Sequence, residues 1–282
     1  MTLPSIGFGT SPYKSGAAPV DVEEAVRIAL QAGYRLFDVA EAYGNERTVG
    51  RALHGADAPP RSELHLIGKV WHTNFAPRRL RRACKDSLHR LGVERFDLYL
   101  LHAPDAWRYV APLDDAEKIG WDELLRRGTP RAANGSIISG DVPVVETWAA
   151  MRDLVPAGLA GRVGVSNFTP KQIDSLGNAP DANEIACWPL EPSVLQWHSQ
   201  HEIMVLGYSP LKTDILEAEA VRNVASACRR APAQVILRWL IQSGVRPLTS
   251  SANPEHIREN LGALEFELSA DQMATILTAV RR

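Results

Sequence analysis

The chain has 282 residues, 45% of them apolar and 23% charged, with a formal net charge of −2. That balance supports a large core and excludes a disordered chain. It also argues against nucleic acid or an anionic membrane as the main partner.

Taken in chain order, an apolar run at 6–9 opens the pattern. A helical pattern over 20–32 follows, with Val22, Val26 and Leu30 on one face and Gly33 as its stop. A strand is expected at 34–39 and another at 64–70, then a helix over 77–91 with Pro77 in its first turn. The run LYLL marks a strand at 96–102, apolar on both faces as a strand of a parallel sheet must be. Residues 103–143 then break the rhythm. They are turn-rich with weak periodicity, and far longer than the ~2–6 residues typical between such elements. This loop is expected either to cover the site as a lid or to be a mobile insertion. Beyond it come a helix over 144–157, strands at 163–167, 183–187 and 204–209, a helix over 231–242, a strand at 246–250 and a helix over 254–263.

Eight strands alternating with helices in this length predict a closed (β/α)8 TIM barrel. No shift in composition marks a second unit, so residues 1–282 are expected to form one domain. Cys84, Cys187 and Cys228 are odd in number and widely spaced, which gives no zinc site and no disulfide framework and favours a reducing compartment. The start MTLPSIGFGT has neither the charged nor the apolar region of a signal peptide. No apolar run approaches the ~20 residues of a membrane span. A cytoplasmic protein without membrane or nucleic-acid partners, with no metal and acting as a monomer, is the expectation.

In such a barrel the site lies at the C-terminal ends of the strands. Asp38 and Tyr43 follow the second strand, Lys69 ends the third and His102 ends the fourth. Each alone has an ordinary structural reading as a cap, a rim aromatic or a core histidine. Lys69 is the exception. The chain has 6 lysines against 25 arginines, and this one sits in an apolar strand, where an unpaired ammonium costs several kcal/mol. Asp38 on the neighbouring strand is its expected partner. A nearby Lys⁺ is expected to lower the pKa of Tyr43 from the ordinary ~10 and make it a better acid. With His102 hydrogen-bonding the oxygen being protonated, the group suits protonation of a carbonyl as hydride from a cofactor reaches its carbon.

With these residues assembled, the chain resembles the aldo-keto reductases over nearly its whole length. GYRLFDVAEAYGNE, LIGKV, LYLLHAP, VGVSNF, GYSPL and NPEHIREN follow the family's order. The resemblance implies NADPH-dependent reduction of a small carbonyl compound, with NADH as the alternative cofactor. It implies Tyr43 as general acid, Lys69 as its tuner, Asp38 as the partner of Lys69 and His102 as the substrate orienter. By position, Ser166, Asn167 and Glu184 would hold the nicotinamide carboxamide, and Tyr208 would stack on its ring. Ser209 and Leu211 would line the pyrophosphate, and Ser250, Ser251, His256, Glu259 and Asn260 the adenosine end. Trp71, Ala103 and Trp107 would line the substrate pocket.

The departures are specific. Ala103 stands where the family has an aromatic, which opens the pocket or leaves it for Trp107 to fill. Glu184 replaces a glutamine, and as a carboxylate it would accept but not donate. Trp188 replaces a histidine. Ser250 and His256 stand where a lysine and an arginine would clamp the 2′-phosphate, leaving Ser250, Ser251, Asn253 and Arg258 to bind it and relaxing selectivity over NADH. The segment after Lys212 is short where many members carry a cofactor-covering loop. Two other functions share the fold: a non-catalytic binding or regulatory protein, and a proton-transfer enzyme without redox chemistry.

Overall fold

The structure is a computed structural model, and it describes residues 3–12, 22–111, 119, 121–251 and 253–280. Among these, eight parallel strands close into a barrel in sequence order: β1 Gly7–Gly9, β2 Leu36–Asp38, β3 His65–Val70, β4 Phe96–Leu101, β5 Ala160–Ser166, β6 Ala182–Ala186, β7 Met204–Tyr208 and β8 Val245–Thr249. The seam pairs β1 with β8 through Gly7 opposite Leu248. Tyr34 Oη lies 3.1 Å from Thr249 Oγ1, which itself lies 3.3 Å from the carbonyl of Gly7, so side chains fasten the seam as well.

Helices cover the outside: α1 Val22–Ala32, α2 Glu46–Leu53, α3 Pro77–Leu91, α4 Trp121–Gly128, α5 Val144–Arg152, α6 Pro170–Asp174, α7 Pro192–Gln200, α8 Thr213–Leu216, α9 Glu219–Cys228, α10 Pro232–Gln242, α11 Pro254–Asn260 and α12 Ala270–Val280. The expected strands stand within one or two residues at each end, except that β5, expected from 163, begins three residues earlier at Ala160. Residues 20–21 of the first expected helix lie outside the described residues. The helix expected over 144–157 stops at Arg152, because Pro156 cannot continue it and Gly158 turns left-handed at φ 74°. The helix expected over 254–263 ends at Asn260, and Leu261–Leu264 tighten into a 3₁₀ turn.

Residues 103–143 are more ordered than their composition suggests. They contain α4, and Trp107 bridges Ser139 while Arg131 bridges Ile137, both antiparallel. Residues 112–118 and 120 of this segment lie outside the described residues.

The strand period of two builds the interior in layers. Leu36, Ile67, Leu98, Leu100, Ala182, Leu206 and Leu248 form one buried apolar cluster inside the barrel. The next inward-facing residue toward the C-terminal rim is polar on strand after strand: Asp38 after Leu36, Lys69 after Ile67, Glu184 after Ala182, Tyr208 after Leu206. The alternate neighbours, such as Phe37, Val39, Leu66 and Val70, pack outward in the core shared with the helices. A polar floor thus rests on an apolar plug.

Candidate active site

Asp38, Lys69 and Glu184 converge on this floor, and each is 3% exposed or less. Lys69 Nζ forms an ion pair with Asp38 Oδ1 and a second, at 3.1 Å, with Glu184 Oε1. The same ammonium lies 3.2 Å from the Tyr43 hydroxyl. Tyr43 ends a 3₁₀ turn, Glu41–Tyr43, which Gly44 closes at φ 66°, a left-handed conformation that glycine adopts without strain. The His102 ring stands edge-on to the Tyr43 ring at 6.0 Å between centroids. The structure therefore brings together the four residues singled out for chemistry.

The electrostatics correct two expectations. Burial pushes the Tyr43 phenol up, and although Lys69 pulls it down, Asp38 and Glu184 oppose Lys69. The phenol is not acidified overall, as the sequence had suggested, and stays protonated at neutral pH. Burial also pushes Glu184 up to about 8, with the Asp38 charge adding to it. Near neutrality Glu184 therefore has a proton to donate, whereas a simple carboxylate had been expected. Lys69 is held charged by Asp38 and Glu184 against the cost of burial. His102 is driven well below the usual histidine range by burial and by Lys69, so it is a neutral imidazole.

Glu41 emerges as a further part of the site. Its carboxylate accepts from the Trp71 backbone N–H at 2.9 Å and from Asn74 Nδ2 at 2.6 Å. This ties the turn bearing Tyr43 to the segment after β3. Burial pushes Glu41 up to about 7. The AEAY motif displays this acid, but only the fold reveals that its partners lie some thirty residues on.

The residues matched to a nicotinamide site line up across β5 to β7. Ser166 pairs in register with Glu184, and Ala186 with Tyr208. Ser166 Oγ donates to the Glu184 carbonyl at 3.0 Å. Asn167 Nδ2 donates to the His102 carbonyl at 3.2 Å and to Ser166 Oγ at 3.0 Å, while its Oδ1 accepts from Tyr208 Oη at 2.9 Å. Asn167 and Ser209 end their strands with left-handed backbone, φ 62° and 51°, conformations that non-glycine residues adopt where surrounding structure enforces them. Leu211 packs partly buried on the core. Trp188, the replacement for a histidine, donates from Nε1 to the Pro210 carbonyl at 2.9 Å and stacks near Trp239. It props the Ser209–Leu211 turn from behind.

The adenosine-end residues gather on β8 and α11. Ser250 and Ser251 are partly buried, His256 and Glu259 are exposed, and Asn260 is buried. Ser251 Oγ accepts from the Asn253 N–H at 3.1 Å, and Asn253 caps α11 by accepting from the Glu255 N–H at 2.8 Å.

Across the same rim stands an aromatic wall. Trp107 stacks on His72 at 3.8 Å, and Trp71 meets Trp107 edge-on at 5.2 Å and His102 at 5.0 Å. The Trp107 N–H donates to the His72 carbonyl at 3.1 Å, so the long segment is pinned beside β3. Ala103 is partly buried next to His102. Tyr109 faces away from this wall, where the Arg79 guanidinium lies over its ring. Among the described residues no helix is long and apolar enough to cross a membrane, and no group of three His, Cys, Asp or Glu side chains could hold a metal ion.

A family model described as the Aldo/keto reductase family matches residues 5–281. Aldo-keto reductase family 1 member A1-A of Danio rerio is 35% identical, the match covering 97% of this chain and 85% of that protein. An aldo-keto reductase of Mycolicibacterium vanbaalenii is 34% identical, covering 98% and 88%. The solved aldose reductase of Schistosoma japonicum superposes with a TM-score of 0.84 at 29% identity, covering 99% of this chain and 89% of that one.

Proposed function

The chain belongs to the aldo/keto reductase family, and from that premise we propose that it reduces an aldehyde or ketone to an alcohol with a nicotinamide cofactor. When bound, the cofactor supplies the hydride that the carbonyl carbon receives. The chain's own residues handle the oxygen. Tyr43 keeps its proton at neutral pH because its phenol is buried, and it gives that proton to the substrate oxygen. Lys69, 3.2 Å from the phenol oxygen, stabilises the phenolate that remains. Asp38 holds Lys69 in place. His102, neutral, orients the substrate oxygen by a hydrogen bond.

The nicotinamide fits the residues present. Its carboxamide needs a donor and an acceptor, and Asn167 and Ser166 offer both at the end of β5. Asn167 is exposed at the strand end, so its amide is open to a ligand. Tyr208 supplies the stacking face, Ser209 and Leu211 the pyrophosphate wall, and Ser250, Ser251, His256, Glu259 and Asn260 the adenosine end. NADPH is the first cofactor on this reading, with NADH accepted because Ser250 and His256 replace the usual cations. Trp71 and Trp107 form the substrate wall, and Ala103 leaves room beside it, which suits a ring or a bulky ketone.

The observation that carries the reading is the buried ammonium aimed at a phenol. The test is Tyr43→Phe, which removes one oxygen. Its kcat for carbonyl reduction is expected to fall by about 10²–10⁴, while fluorescence titration finds NADPH bound nearly as tightly as before. A variant that kept the wild-type kcat would reject Tyr43 as the donor.

A further inference from the structure

We propose that Glu184 is a positioning residue that holds a proton shared with Asp38 beside Lys69, and that releasing this proton turns the site from preferring reduced cofactor to preferring oxidised cofactor. The second half rests on the nicotinamide reading above. The first half stands on geometry. Glu184 is 2% exposed and Asp38 3%. Both carboxyl groups lie against one ammonium, since Lys69 Nζ pairs with Asp38 Oδ1 and, at 3.1 Å, with Glu184 Oε1. Two buried carboxyl groups gathered on one cation repel each other unless one of them carries a proton. Glu184 Oε2 has no donor from elsewhere in the described structure.

Charge counting agrees. Lys69 with one carboxylate and one carboxyl is neutral, whereas Lys69 with two carboxylates leaves a net negative charge in a buried site. Every charged or titratable group facing Glu184 bears on this. Asp38 comes from β2, Tyr43 from the turn after it, Lys69 from β3, Tyr208 from β7 and Cys187 from just beyond β6. From β5, Ser166 bonds only the Glu184 backbone carbonyl. Burial pushes the Cys187 thiol up to about 12 and the Tyr43 and Tyr208 phenols upward as well, so these three hold their protons in mild alkali. Of these groups, the carboxyl pair is the one that deprotonates there, with Glu184 at about 8.

Losing that proton has two effects. The new charge opposes Lys69 and makes Tyr43 a weaker donor. It also attracts the oxidised nicotinamide ring, a cation, over the neutral reduced ring. A glutamine at this position could do neither.

The experiment has two arms. In the first, dissociation constants for oxidised and reduced cofactor are measured from about pH 6.5 to about pH 9.5. The ratio of oxidised to reduced Kd is expected to fall as pH rises through about 8, at a limit of about tenfold per pH unit for one linked proton. Glu184→Gln should flatten the slope and Glu184→Asp should keep it. A wild-type ratio constant within about twofold, or the same slope in Glu184→Gln, overturns the proposal. In the second arm, difference infrared spectra of the cofactor-free protein follow protonated carboxyl bands over the same range. Glu41 titrates in this window too, so Glu41→Gln supplies the background. A band that disappears with alkali in Glu41→Gln and is missing from Glu184→Gln supports the shared proton. If Glu184→Gln fails to fold, the Glu41→Gln spectra still decide, because absence of the band there overturns the shared proton while leaving carbonyl reduction standing. Failure to bind either cofactor with the band intact overturns the nicotinamide reading and the second half of the proposal with it.

Discussion

At Glu184 one side chain stores an opposition between burial and charge that the sequence displays only as a replaced glutamine. Its folded pKa, about 8, lies above the ordinary glutamate value of 4.5. A raised carboxyl pKa contributes stability that is fully present below the unfolded value and is lost as pH rises through the folded one. The wild type should therefore lose this contribution between about pH 4.5 and about pH 8. Glu184→Gln, neutral throughout, should gain on the wild type across that window by on the order of a few kcal/mol, read as a widening gap in Tm. The four candidate residues were legible because they stand at or just beyond the ends of apolar runs. The state of their protons was not, because the cost of burial depends on neighbours from β2, β3 and β6 that no local pattern brings together. Ser250 and His256 give a second residue-scale expectation. Ser250→Lys with His256→Arg should raise the preference for NADPH over NADH by at least about tenfold, since a charge-assisted bond is worth ~1.5–3 kcal/mol, measured as a ratio of Kd values.

Elements hold these residues in register, and the strand period makes that hold strict. A slip of one residue in β6 would turn Glu184 outward and Ile185 inward. Gly164 guards this register. A Cβ there would lie 2.5 Å from the Ala182 carbonyl oxygen and 2.7 Å from Leu100 Cδ2. Because the first obstacle is backbone, β6 itself must shift. Gly164→Ala is expected to cost about 1–3 kcal/mol in urea unfolding and to weaken cofactor binding by displacing Glu184 from Ser166. The strands were readable because burial on both faces gives continuous apolar runs. The helices were readable where a clear start signal joins the period, as at Pro77 of α3, whereas α9 and α12 went unread although they run 10 and 11 residues. Short α6 and α8 offer too few turns for a period to show, and α4 hides among turn residues because the hydrogen bonds that order its surroundings pair 106–108 with 138–140.

For the whole molecule, the barrel separates tasks by height. The apolar plug supplies stability and the polar floor above it accepts strain, so a ligand bound at the rim stabilises the assembly without repacking its core. Cofactor at about 100 times its Kd should add about 2.7 kcal/mol to the free energy of unfolding, seen as a rise in Tm with NADPH that Tyr43→Phe retains. A flat Tm at that concentration would reject the rim as the binding site.

The wall of Trp71, His72 and Trp107 has an optical consequence. Trp71 stands 5.0 Å from the His102 ring, at the edge of the proposed reaction chamber. Its indole can pass excitation energy to a reduced nicotinamide, which absorbs where tryptophan emits. Burial lowers the His72 pKa, so this neighbour remains an uncharged imidazole as the solution becomes mildly acidic. The protein thus carries its own lamp beside the chemistry, and the dimming of that lamp as cofactor arrives, with its recovery at turnover, would time occupancy of the chamber without any added dye.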